Sequence, residues 1–113
     1  MEKIVEQGIL YDFYGELLTQ HQQKIYEDAV YHDLSLSEIA EEQGISRQGV
    51  HDLIKRCNHI LEGYENKLHL VERFNEIRES IRRMNELAED ESIGSGQLKE
   101  EIRRLSDGIL KAL

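Results

Sequence analysis

Between Leu36 and Lys55 the chain carries Ala40, Gly44, Ile45, Val50 and Leu53 at spacings that few folds accommodate. Ala40 is small where one short helix must let a second cross it closely. Gly44, four residues on, supplies the turn between them, because glycine enters the left-handed region without a Cβ clash. Ile45 is placed to plug the space beneath that turn. Val50 and Leu53, ten and thirteen residues after Ala40, are placed to anchor the second helix on the first. The combination predicts a helix-turn-helix.

Helix-start signals surround this motif. Thr19 with Gln22, and Ser35 with Glu38, have the capping-box form, in which each side chain satisfies a free backbone N–H of the other's residue. Ser46 is a third N-cap. Leu10, Phe13, Tyr14, Leu17 and Leu18 recur at helical spacing and predict a first helix over about 3–17, weakened by Gly8 and Gly15. A second runs to about Tyr31 and buries Ile25, Ala29 and Val30; a third runs from the Ser35 cap through Gln43; a fourth follows Ser46. The chain has no proline to break a helix, and aromatics at 6% with no tryptophan do not favour a β-rich fold.

Beyond the motif, Leu61, Tyr64, Leu68, Val71, Phe74, Ile77, Ile81, Met84 and Ala88 continue in steps of three or four. Their periodicity predicts that the fourth helix runs on to near residue 88, about 60 Å in all. A polar connection over 89–96 precedes a last helix with Leu98, Ile102, Leu105, Ile109 and Leu113 on one face, which folds back or pairs with a second copy. The fold class is therefore all-α: a small helical bundle with a helix-turn-helix, a long fourth helix and a C-terminal helix. The expected division is a bundle over 1–62 and a dimerisation extension over 63–113. Leu68, Val71, Phe74, Ile77, Ile81 and Met84 are the candidate homodimer stripe, since an exposed apolar stripe needs cover and such proteins commonly bind as dimers.

Charge narrows the function. The net charge of −9 argues against broad affinity for nucleic acid, which requires cations to displace counterions. The balance is uneven, with two cations against ten acids over residues 1–45, but Arg47, Lys55 and Arg56 against Asp52 over residues 46–59. At 100° per residue, Val50, Leu53, Ile54 and Cys57 project inward from the fourth helix, and Gln48, Asp52, Lys55 and His59 outward. Ser46, Arg47, Gln48, His51, Lys55 and Arg56 are the candidate contacts to DNA or RNA: glutamine matches an adenine edge, and arginine and lysine match guanine or phosphate. Asp52 is also placed to pair with Arg56 one turn on and neutralise part of this face. The competing reading is a protein adaptor whose acidic surface docks on a basic partner.

Other chemistries lack their residues. His51, His59 and His69 are eight and ten apart, off the one-turn spacing of a helical metal site, and no cofactor motif occurs. Glu38, Glu41 and Glu42 read as a solvated face rather than an acid/base pair. Cys57, the single cysteine, reads as a small buried hydrophobe, so neither a disulfide nor a nucleophile is expected. The expectation is no enzyme, no metal and no membrane span. The N-terminus is too acidic for a signal peptide, so a cytoplasmic location is expected.

The order of elements resembles DNA-binding region 4 of bacterial sigma factors in Leu18-Thr19, Asp33 through Glu42, Gly44 through Arg47, and Val50. More closely, the chain resembles the YlxM family of small bacterial proteins. The likeness is carried by Tyr11 through Tyr14, Leu17 through Thr19, Asp33 through Glu42, Ile45 through Gln48, Val50 through Asp52, Ile54 through Arg56, and Leu61 through Leu68. It implies an all-α protein with a sigma-region-4-like helix-turn-helix. It also implies a DNA-binding regulator tied to the signal recognition particle, because the family's genes usually lie beside that of the particle's GTPase. Gly49 departs from the family's usual alanine, and the C-terminal third departs most.

Overall fold

The computed structural model describes the backbone from Lys3 and the side chains from Ile4 through Leu113. Among the described residues there are six α-helices and no strand. They are α1 (Lys3–Tyr14), α2 (Gln20–Val30), α3 (Leu36–Gln43), α4 (Arg47–Leu68), α5 (Leu70–Glu89) and α6 (Ser95–Ala112), with a single 3-10 turn at Gly15–Leu17 after α1. The chain divides into two compact units, Met1–His69 and Leu70–Leu113.

The first unit is the helix-turn-helix bundle. Both capping boxes form: Thr19 Oγ1 accepts from the Gln22 N–H at 3.1 Å while Gln22 Oε1 accepts from the Thr19 N–H at 3.0 Å. Ser35 and Glu38 make the same exchange at 3.1 and 3.2 Å. α4 packs on α1, α2 and α3. Ile25, Ile39, Ala40 and Val50 make a buried cluster, and Ala29, Leu34, Leu36, Leu53 and Ile54 pack on it. Gly44 takes the left-handed conformation at φ 67°, and its N–H, like that of Ile45 at 3.1 Å, is donated to the Ala40 carbonyl. That is the geometry the turn requires. One expectation is corrected: Ile45 is 39% exposed and stands outside the buried cluster around Ala40, with its Cδ1 near the start of α4 at Gly49.

α1 differs from its expected shape. It ends at Tyr14 and tightens into the 3-10 turn, where a Cβ on Gly15 would meet the Tyr11 ring at 2.8 Å. Tyr14 and Leu18 are buried, whereas Phe13 and Leu17 face outward. Tyrosine hydroxyls fasten the bundle. Tyr11 donates to Glu27 at 2.7 Å, Tyr14 to Glu65 at 2.5 Å, Tyr26 to Asn58 at 2.6 Å, and Tyr31 to Asp12. Tyr11 stacks on Tyr26, and Tyr14 on Tyr64.

The fourth helix does not reach residue 88. It is the longest helix at 22 residues and ends at Leu68, because His69 enters the left-handed region at φ 56° and donates its N–H to the Glu65 carbonyl. Histidine is among the few residues other than glycine that tolerate this conformation. The boundary therefore falls after His69 rather than at 62/63, since Tyr64 and Glu65 still pack against Tyr14. In the second unit α6 folds back on α5 across a turn in which Asp90 Oδ1 accepts from the Ser92 N–H at 2.9 Å. Leu87 and Leu105 are the buried residues there.

Asp28 on α2 is 1% exposed, and its Oδ1 accepts from Lys24 Nζ at 3.0 Å and from His32 Nδ1 at 2.8 Å. Burial pushes its pKa up, but the hydrogen bonds from His32 and Lys24 outweigh this and hold it below the ordinary aspartate value. Oδ2 is buried with no hydrogen-bond partner among the described residues, which offsets part of the gain. A carboxyl held below its unfolded pKa contributes stability above the unfolded value and loses it as pH falls through the native one. Asp28→Ala is therefore expected to lower stability by about 1–3 kcal/mol at neutral pH. Denaturant titrations at several pH values should show the difference from wild type shrinking as the pH falls below the ordinary aspartate range.

Candidate nucleic-acid interface

α4 begins where Ser46, in extended conformation, caps it: Ser46 Oγ accepts from the Gly49 N–H at 2.9 Å. The hydroxyl is thus committed to the helix. From this start the periodicity sorts the side chains as expected. Val50 and Cys57 are buried, Leu53 and Ile54 half-buried, and Arg47, Gln48, His51, Asp52, Lys55, Arg56 and His59 exposed. All six candidate contacts lie on α4 or its cap, on the helix that α3 holds in place.

Arg47, Lys55 and Arg56 form no ion pair among the described residues, so their charges are open to an anion. Asp52 does not turn to Arg56. Its Oδ1 accepts from Gln48 Nε2 at 3.0 Å and lies 3.6 Å from His51 Nδ1. One turn toward the N-terminus offers Asp52 a neutral donor, and the arginine stays free. A hollow of about 460 Å³ lies beside this pair, lined by Leu36, Arg47, Gln48 and His51. Leu36, at the first position of α3, is half-buried: it packs on the buried cluster and also lines this hollow. Gln48 stands four residues before Asp52 and Arg56 four after it, so helical spacing alone does not choose between the two.

α3, which packs on α4, carries the exposed acids Glu38, Glu41 and Glu42. Glu42 lies 4.0 Å from Lys24 Nζ, and Glu38 is engaged in its capping box. Elsewhere, burial pushes the Cys57 thiol up, away from the thiolate that nucleophilic chemistry needs. Among the described residues no group of three histidine, cysteine, aspartate or glutamate side chains converges to hold a metal ion. Among them, too, no helix is long and apolar enough to cross a membrane.

Residues 1–105 match the family described as "Putative helix-turn-helix protein, YlxM / p13 like". The chain belongs to this family. Among its relatives, a UPF0122 protein of Bacillus thuringiensis is 39% identical over 111 residues, covering 98% of this chain and 97% of the relative. A UPF0122 protein of Clostridium kluyveri is 48% identical over 80 residues, covering 71% and 72%. The family description agrees with the helix-turn-helix that α3 and α4 build.

Because the Ser46 hydroxyl satisfies a backbone donor at the start of α4, Ser46→Ala is expected to lower stability by about 1 kcal/mol. Thermal unfolding followed by circular dichroism checks this. An unchanged midpoint would show that the cap contributes nothing.

Proposed function

We propose that this protein is a nucleic-acid-binding regulator that presents α4 to a groove. The observation behind the reading is the outward row of Arg47, Gln48, His51 and Lys55 on a helix seated against α3, with its cations free of acid partners among the described residues. Arg47, Lys55 and Arg56 supply phosphate contacts, and Gln48 and His51 lie nearest the base edges. An α-helix fits the major groove of duplex DNA, which makes DNA the preferred target over the deep, narrow groove of duplex RNA. Arg47→Ala/Lys55→Ala should weaken binding to DNA from the protein's own operon at every sequence and reduce the slope of log affinity against log salt by about 2. Equal affinity and slope for the double variant and wild type would remove this face from the function.

A protein adaptor is the second reading, favoured by the exposed acids of α3 and by six cations against thirteen acids over residues 1–69. The family resemblance makes the signal recognition particle's GTPase, alone or with its RNA, the partner to try. Salt-sensitive capture of that GTPase by a protein that binds no nucleic acid would favour this reading over the first.

We also propose that the protein acts as a homodimer. Leu68 lies on α4 and Val71, Phe74, Ile77, Ile81 and Met84 on α5, so the stripe is shared between two helices. Ile81, Leu110 and Leu113 are exposed, and a two-helix unit with two buried leucines gains cover from a second copy. A pair of recognition helices also matches two half-sites one DNA turn apart, about 34 Å. Light scattering should return twice the chain mass of 13.2 kDa. A monomer at working concentration rejects the dimer.

A further inference from the structure

We propose that Asp52 is a positioning residue that holds the Gln48 amide with its oxygen outward, so that α4 reads an adenine. This rests on the nucleic-acid reading above. The contact is Gln48 Nε2 donating to Asp52 Oδ1 at 3.0 Å, with both side chains exposed on the outer face of α4.

The chemistry decides which way the amide points. An ionised carboxylate only accepts hydrogen bonds, so the end of Gln48 that faces it must be the NH2 group. On this proposal the Nε2 hydrogen trans to Oε1 is spent on Asp52, which leaves the hydrogen cis to that oxygen. The other, with Oε1, remains for a ligand, and together they are one donor and one acceptor side by side. The major-groove edge of adenine offers the complement, N7 as acceptor and the N6 amino group as donor. Guanine offers two acceptors there, and Oε1 would face one of them unpaired. Leu36 lines the hollow beside Gln48 and adds apolar surface of the kind a thymine methyl meets.

Asp52 also has a cost. A carboxylate on a face that meets phosphates repels them, so a chain that needed only nonspecific affinity would do better without it. Its presence is explained if it exchanges affinity for selectivity: a long side chain already held loses less freedom on binding. His51, with Nδ1 3.6 Å from the same oxygen, lies within reach of the same anchor.

The experiment is selection from a random duplex DNA pool at low salt, with a random RNA pool in parallel. The proteins are wild type, Gln48→Ala, Asp52→Ala and Asp52→Asn, each checked for helicity. Wild type is expected to enrich adenine at one position and Gln48→Ala to lose that preference. Asp52→Ala should weaken it by roughly three- to tenfold, the advantage of a side chain already immobilised, while overall DNA affinity holds or rises. Asp52→Asn keeps a carbonyl acceptor for Gln48 and should restore the preference. An adenine preference unchanged in Asp52→Ala overturns the proposal and leaves the DNA reading standing. A preference that moves to another base in Asp52→Asn also overturns it, since Asp52 would then be reading a base itself. Wild type that selects RNA only overturns this proposal but not nucleic-acid binding. Wild type that selects neither pool overturns both.

Discussion

The seating of α4 on α3 decides what the helix-turn-helix can present at its surface. Ile25, Ile39 and Val50 are fully buried and Ala40 nearly so, with each large side chain contributing about 1.5–3 kcal/mol against exposure. Ala40 is the pivot. Its carbonyl accepts the N–H groups of both Gly44 and Ile45, so the turn closes on the residue whose small side chain lets α4 approach. A bulkier residue at 40 would push α4 outward and carry the row from Arg47 to His59 with it. Packing and presentation are therefore one arrangement.

α4 is also the post to which the rest of the first unit is tied, and this changes the meaning of the acidic composition. Asp12, Glu27 and Glu65 accept tyrosine hydroxyls, and Asp28 holds Lys24 and His32. These acids are engaged by other side chains of the same unit. Burial and the neighbouring carboxylates push the Tyr11 and Tyr31 hydroxyls well up from their ordinary values, so they remain donors throughout the physiological range. A count of charges treats all thirteen acids of residues 1–69 as surface available to a partner, whereas at least four have structural roles. The exposed acids of the helix on which α4 is seated are Glu38, Glu41 and Glu42.

Capping chemistry and the crossing pattern were plain in the sequence because both are local and depend on residue type. Thr19 with Gln22, Ser35 with Glu38, Ser46 and Gly44 each state a backbone requirement that few alternatives meet. The break at His69 was not legible for the opposite reason. The apolar steps run through it unbroken, and the left-handed residue there is neither glycine nor followed by proline. Periodicity reports which face is apolar, not whether the backbone continues. Tyr14 and Tyr64 stand in the sequence as apolar positions of their stripes, since spacing says nothing about where a hydroxyl ends. Of the candidate interface, the outward set followed directly from helical projection. The partner chosen by Asp52 did not, because a residue flanked one turn either way by Gln48 and Arg56 has two neighbours at equivalent spacing.

That choice links the electrostatics to the proposed selectivity. Each phosphate neutralised contributes about 0.9 to the salt slope, so on the proposed reading three cations of α4 without acid partners among the described residues would give modest affinity. On the proposed reading, a protein built this way would spend little time on arbitrary DNA. Its residence on a given site then depends on what the base edges add, where a single well-oriented bidentate contact is worth about 1–3 kcal/mol. Had Asp52 turned to Arg56, the face would have lost a cation and left the Gln48 amide free to rotate. Turned to Gln48, the same carboxylate keeps the cation and orders the reader.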